Sequence, residues 1–141
     1  MGDAATSRAA IDSVAADGIV PRLLARLNEQ AEADELRPAR DPVTGVLNWN
    51  TTTDVPVTLV AESEYVIQGV CDADCRNLDL SLMDPDGRTI WTKEYADTSP
   101  EIRLTAERAG TYVVRVLMRA CASPRCGFGV AFYTSAPDEE A

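Results

Sequence analysis

From Val55 onward the chain alternates apolar and polar residues with a period of two. Leu78, Leu80 and Leu82 are separated by Asp79 and Ser81, Ile102, Leu104 and Ala106 by Arg103 and Thr105, and Phe128, Val130 and Phe132 by Gly129 and Ala131. In a β-strand successive side chains point to opposite faces, so each run presents one apolar face to a core. Seven strands are predicted in this way, near 55–61, 65–71, 78–84, 89–95, 101–107, 111–120 and 127–134. Turn-forming residues separate them: "ESE" at 62–64, "DPDG" at 84–87, "ADTSP" at 96–100 and "ERAG" at 107–110. These connections are too short for crossover helices, which requires antiparallel pairing. The predicted fold class is mainly β, an antiparallel jelly-roll-type β-sandwich with an N-terminal helical appendage.

The pattern before Val55 is different. Residues 3–36 are alanine-rich, with Ile11, Val14, Leu23, Leu24, Leu27 and Ala31 near helical spacing, and Asp17-Gly18 and Pro21 divide the stretch into two helices. Pro21 suits the first turn of the second helix, where its missing N–H costs nothing. Their apolar stripe is narrow, which predicts docking onto another surface. In "RPARDPVTGVLNWNTTTD", residues 37–54, Pro38, Pro42 and Gly45 interrupt any regular element. The expected organisation is a helical segment over 1–36, a linker over 37–54, a self-sufficient sandwich over 55–135 and an acidic tail over 136–141.

Composition excludes several partner classes. A net charge of -10, with Lys93 as the only lysine among thirteen basic residues, repels phosphate backbones and anionic lipid, so neither nucleic acid nor membrane insertion is expected. The N-terminus "MGDAATSRAA" lacks the apolar core of a secretory signal. Four cysteines in two close pairs nevertheless point to an oxidising compartment, hence a secreted or periplasmic protein whose leader has been replaced; the cytoplasm is the alternative.

The cysteines stand at Cys71 and Cys75 and at Cys121 and Cys126, each pair flanking a short turn sequence. Loop entropy favours a crossed bridge, and geometry favours bridges within each pair; the local pairing is the one expected. A redox site would call for an electropositive setting, whereas these neighbours are acidic. Zinc held by all four thiols is a further alternative.

Around the first pair, Asp72, Asp74, Asn77, Asp79, Asp84 and Asp86 offer the hard oxygens that calcium takes in sets of six to eight. The EF-hand pattern fails because Arg76 occupies the third ligand position. Ordinary acidic turns are the simpler reading, and convergence of Asp72, Asp74, Asp79, Asp84 and Asp86 on a Ca²⁺ ion is the alternative, the one cofactor the sequence suggests. Along 89–95 the alternation sets Trp91, Lys93 and Tyr95 opposite Ile90, so Trp91 and Tyr95 are candidates for stacking on a sugar or clamping a peptide as well as for packing.

The order of motifs is itself informative. An aromatic-led strand ends in Gly69, a D-L-x-L strand spans Asp79 to Leu82, "DPDGR" follows at 84–88, Pro100 closes the turn at Asp97, and "AGTYVVRV" occupies 109–116. Over residues 55–134 this series resembles the bacterial pre-peptidase C-terminal domain and its relatives. The resemblance implies a jelly-roll sandwich carried on secreted bacterial proteins, often beside a protease, with calcium or an extracellular polymer such as collagen bound by some members. The helical N-terminus departs from the usual module, and no protease domain lies within these 141 residues.

The chain has no histidine, which removes Ser-His-Asp and Cys-His catalysis and the usual zinc-hydrolase ligands. No phosphate loop and no nucleophile elbow is present. The expectation is a non-catalytic binding or accessory module whose partner is a protein or an extracellular polymer. The alternative is an assembly subunit that oligomerises or docks a partner through its N-terminal helices.

Overall fold

A computed structural model describes residues 18–93 and 98–135. The first of the two predicted helices, Tyr95 and the acidic tail from 136 onward lie outside the described residues. Among the described residues one helix, α1 (Ile19–Ala33), precedes eight strands: β1 (Arg37–Asn48), β2 (Thr52–Leu59), β3 (Glu64–Cys71), β4 (Cys75–Met83), β5 (Thr89–Lys93), β6 (Glu101–Thr105), β7 (Gly110–Cys121) and β8 (Arg125–Thr134). They form two four-stranded sheets, ordered β1-β8-β3-β6 and β2-β7-β4-β5, with every pair antiparallel. Apart from the β4–β5 hairpin, consecutive strands lie in opposite sheets, as in a jelly roll.

The core between the sheets is the alternation made physical. Leu78, Leu80 and Leu82 of β4, Ile102 of β6, Val114, Val116 and Met118 of β7, and Val130 of β8 are fully buried. Tyr65 and Tyr112 bury their rings and satisfy their hydroxyls locally: Tyr65 accepts from the Val60 N–H at 2.8 Å, and Tyr112 donates to the Arg108 carbonyl at 2.7 Å.

The expected linker is replaced by a strand. Residues 37–48 form β1, the edge strand beside β8, with register shifts between Pro38 and Arg40 and between Arg40 and Val43. An edge strand tolerates proline, and bulges absorb the lost donors. Opposite the inward-facing Phe132, Val130, Phe128 and Cys126, β1 places Arg40, Val43, Gly45 and Leu47. Only two of those four are apolar. The Arg40 guanidinium lies 5.3 Å from the centre of the Phe132 ring, and a Cβ on Gly45 would stand 3.0 Å from Phe128. The sandwich therefore begins at Arg37, and its eighth strand lies outside the 55–135 span read from the alternation.

The helix is equally integral. On the outer face of β8, Gly127, Gly129 and Ala131 leave a trough that α1 fills; a Cβ on Gly129 would meet Val20 at 3.0 Å and Leu24 at 3.1 Å. Val20, Leu24 and Ala31 pack there with Val66, Val70, Ala131 and Tyr133 as a second apolar cluster. Pro21 does sit in the first helical turn. At the other end Leu36 N–H bonds to the Ala31 carbonyl at 2.8 Å and Glu35 N–H to that of Glu32 at 3.0 Å, a Schellman motif with Glu35 at φ 63°. A left-handed residue with a Cβ is strained. Glu35→Gly is therefore expected to stabilise the protein by about 1 kcal/mol in chemical denaturation, with no change in the slope of the transition.

Candidate functional site

Both cysteine pairs close locally, Cys71 with Cys75 and Cys121 with Cys126, across Cα separations of 5.8 and 6.1 Å. They meet at one end of the sandwich, where Cys75 is the cross-strand partner of Cys121 and the Ala122 N–H bonds to the Asp74 carbonyl at 2.7 Å. Cys71, Cys75 and Cys126 are buried, so this end is a stapled cap rather than a reactive surface.

The acidic residues do not converge. Asp72 and Asp74 precede β4, and Asp84 and Asp86 follow it. A nine-residue strand separates the two pairs by roughly 26 Å. Each carboxylate with a defined partner meets protein donors. Asp72 accepts the Asp74 N–H at 3.1 Å and the Gly127 N–H at 2.7 Å, tying the first disulfide loop to β8. Asp84 accepts the Asp86 and Arg88 N–H groups, each at 2.9 Å. The hydrogen bond from Arg88 is the main reason its carboxyl is held below the usual range. Asp86 receives Arg108 at 2.5 Å, and Asp79 binds Arg119 on the outer face of β4.

Among the described residues no group of three or more acidic, cysteine or histidine side chains is placed to hold a metal ion. Calcium, which some pre-peptidase C-terminal domains bind, does not fit these five aspartates. Thermal melts in chelator, Ca²⁺ and Mg²⁺ at matched ionic strength are expected to coincide; a rise specific to Ca²⁺ would restore the metal reading.

Trp91 is placed otherwise than the strict alternation implies. Met83 pairs with Thr89 but Leu82 pairs with Trp91, so Ile90 is an extra residue on β5 and the strand bulges there. Trp91, opposite the core residue Leu82, turns toward the facing sheet, and the bulge brings Ile90 to the same groove. The groove runs along the open side of the sandwich between β5 and β6, at the end away from the disulfides. Leu104, Ala106 and Tyr112 complete its apolar wall, and Asp84, Glu107 and Arg108 stand at its rim.

Two turns build that rim. In the "DPDG" turn Gly87 N–H bonds to the Asp84 carbonyl at 2.8 Å, and Gly87 takes φ 84°, which suits glycine. Arg108, from the β6–β7 turn, reaches across to Asp86, and this contact is the main reason its own pKa is raised. The groove encloses about 250 Å³, below the roughly 300–1,000 Å³ of small-molecule pockets. It fits one or two apolar side chains of a larger partner better than an enclosed ligand. Ile90 and Trp91, adjacent in sequence, are 46% and 37% exposed. Ile90 was missed as a site residue because alternation alone sends it to the opposite face; no signal in the sequence marks the bulge.

No protein-family model matches the chain, and no curated protein matches it. Solved structures do. The periplasmic inhibitor of g-type lysozyme PliG from Aeromonas hydrophila aligns with a TM-score of 0.52 at 8% identity, over 69% of this chain and 87% of that one. The pre-peptidase C-terminal domain of collagenase from Bacillus anthracis aligns with a TM-score of 0.53 at 11% identity, over 68% of this chain and 97% of that one. At such identities the likeness concerns the fold: the chain shares the β-sandwich architecture of the pre-peptidase C-terminal domain, the family its motifs resemble.

Proposed function

We propose that the protein is a non-catalytic recognition module of the periplasm or the extracellular space, which holds a protein partner at the β5–β6 groove. The observation that carries this reading is the groove itself, in which a β-bulge turns Ile90 and Trp91 together into an open edge of the sandwich. Apolar side chains backed by a rigid core and ringed by charge form the usual centre of a protein interface. The two disulfides support an oxidising compartment, and PliG shows that a protein of this fold serves as an inhibitor of another protein. The absence of histidine and the partnered state of Asp72, Asp84 and Asp86 support a role without catalysis.

The assembly reading gains nothing from α1. Its buried residues Val20, Leu24 and Ala31 are spent on the protein's own β3 and β8. Site-directed photo-crosslinking tests the proposal. A photoreactive residue at position 90 is expected to trap a defined protein from the native compartment, while one at Thr58, exposed on β2, traps none. Equal trapping from both positions, or trapping from Thr58 alone, would sink it.

A further inference from the structure

The two open sides of the sandwich are defended unequally. Along the β1–β2 side stand Pro38, Pro42 and Pro56, and the Arg40 guanidinium donates to the Pro56 carbonyl at 2.5 Å, closing that side over the core. Prolines on edge strands block the addition of a further strand because they supply no donor. Within β5 and β6 there is none: β5 reads TIWTK and β6 reads EIRLT, and Pro100, just before β6, gives its carbonyl to β3.

The register shows which backbone groups face outward. The Gly69 N–H bonds to the Pro100 carbonyl at 2.9 Å and the Ala106 N–H to that of Ser63 at 3.0 Å. Even-numbered residues of β6 thus address β3, and Arg103 and Thr105 aim their N–H and C=O groups away from the sheet. Among the described residues β6 has no neighbour beyond β3 in its sheet. Inward-facing Leu104 lies between these two residues and opens into the groove with Ile90 and Trp91.

We infer that β6 is the docking edge for an extended segment of a partner protein, which pairs with Arg103 and Thr105 and sends alternate apolar side chains into the Ile90–Trp91 groove. This rests on the groove being the recognition site. Strand addition obtains affinity from main-chain bonds and specificity from pockets for every second side chain, which is the arrangement found here. The chain's net charge of -10 steers basic segments toward the protein and disfavours a second copy of this chain as occupant.

The test uses the full chain with Trp49→Phe, leaving Trp91 as the single tryptophan of the two, and the capped peptide (Val-Lys)₃. Expected are a change in Trp91 fluorescence and at least fivefold slower amide exchange at Arg103 and Thr105, both abolished when the valines are N-methylated. A fluorescence change that survives N-methylation, with exchange unaltered, would overturn strand addition while leaving the groove as a binding site. No change in either signal at millimolar peptide would remove both. Equal binding of (Val-Glu)₃ would overturn the preference for a basic partner.

Discussion

A chain lacking residues 1–36 is expected to keep a β-type circular dichroism spectrum but melt roughly 10 °C lower, and a chain lacking 1–48 is expected to lose its cooperative transition altogether. The first deletion removes α1 and uncovers Val66, Val70, Ala131 and Tyr133 on the outer face of β3 and β8. Each aliphatic side chain in that cluster contributes about 1.5–3 kcal/mol of burial. The released helix recovers conformational entropy, which leaves a net loss of about 3 kcal/mol, a substantial share of a domain's usual 5–15.

Tyr133 supplies an independent readout. Its hydroxyl donates to the Asn28 side chain at 2.5 Å, and burial raises its pKa above the ordinary tyrosine value. Without the helix one tyrosine should return to an ordinary alkaline titration near pH 10. The second deletion also removes β1, with its pairing to β8 and the Arg40 contact to Phe132. A melting temperature within about 2 °C of the full chain for either truncation would show that the sandwich is complete without these elements.

How far the sequence was legible follows from which forces shaped each element. β4 was readable because both of its sheet neighbours hold it in place, so its apolar residues must alternate strictly, as Leu78, Leu80 and Leu82 do. The "DPDG" turn was readable because its backbone dictates its residues locally. β1 was not, because pairing with β8 alone compensates for its prolines, and Phe128 and Phe132 determine the glycine and arginine that face them. Neither constraint is visible within residues 37–48.

The same holds for the groove: Trp91 was identified as an aromatic candidate, but its orientation depends on a bulge set by pairing with β4. The aspartates were grouped because they are near in sequence, and a strand lying between two loops carried them to opposite ends. Gly127, Gly129 and Ala131 were the missed clue to the helix. Small residues along one face of a strand otherwise apolar on both faces mark where another element approaches closely.

Arg119→Ala is expected to cost more stability than Asp79→Leu, although arginine is the exposed partner. Asp79 lies on the outer face of β4 at 4% exposure, its Oδ2 bound to the Arg119 guanidinium and its Oδ1 buried without a hydrogen-bond partner. Removing the arginine leaves a buried carboxylate with neither charge compensation nor adequate solvation. Losing one partner of a fully buried pair costs about 3–5 kcal/mol, and the 47% exposure of the Arg119 side chain lets in some water, so about 2–3 kcal/mol is expected. Replacing Asp79 by leucine instead removes the unsatisfied oxygen along with the charge, and β4 gains an apolar side chain beside Leu117, its cross-strand partner. That change should fall within about 1 kcal/mol of the parent, of either sign. The double variant should resemble Asp79→Leu more than the sum of the two, because both substitutions remove the same ion pair. Urea denaturation of the parent, both single variants and the double variant measures all four values. If Asp79→Leu proves as costly as Arg119→Ala, the carboxylate is held by contacts beyond the ion pair, and this account of the outer face of β4 is wrong.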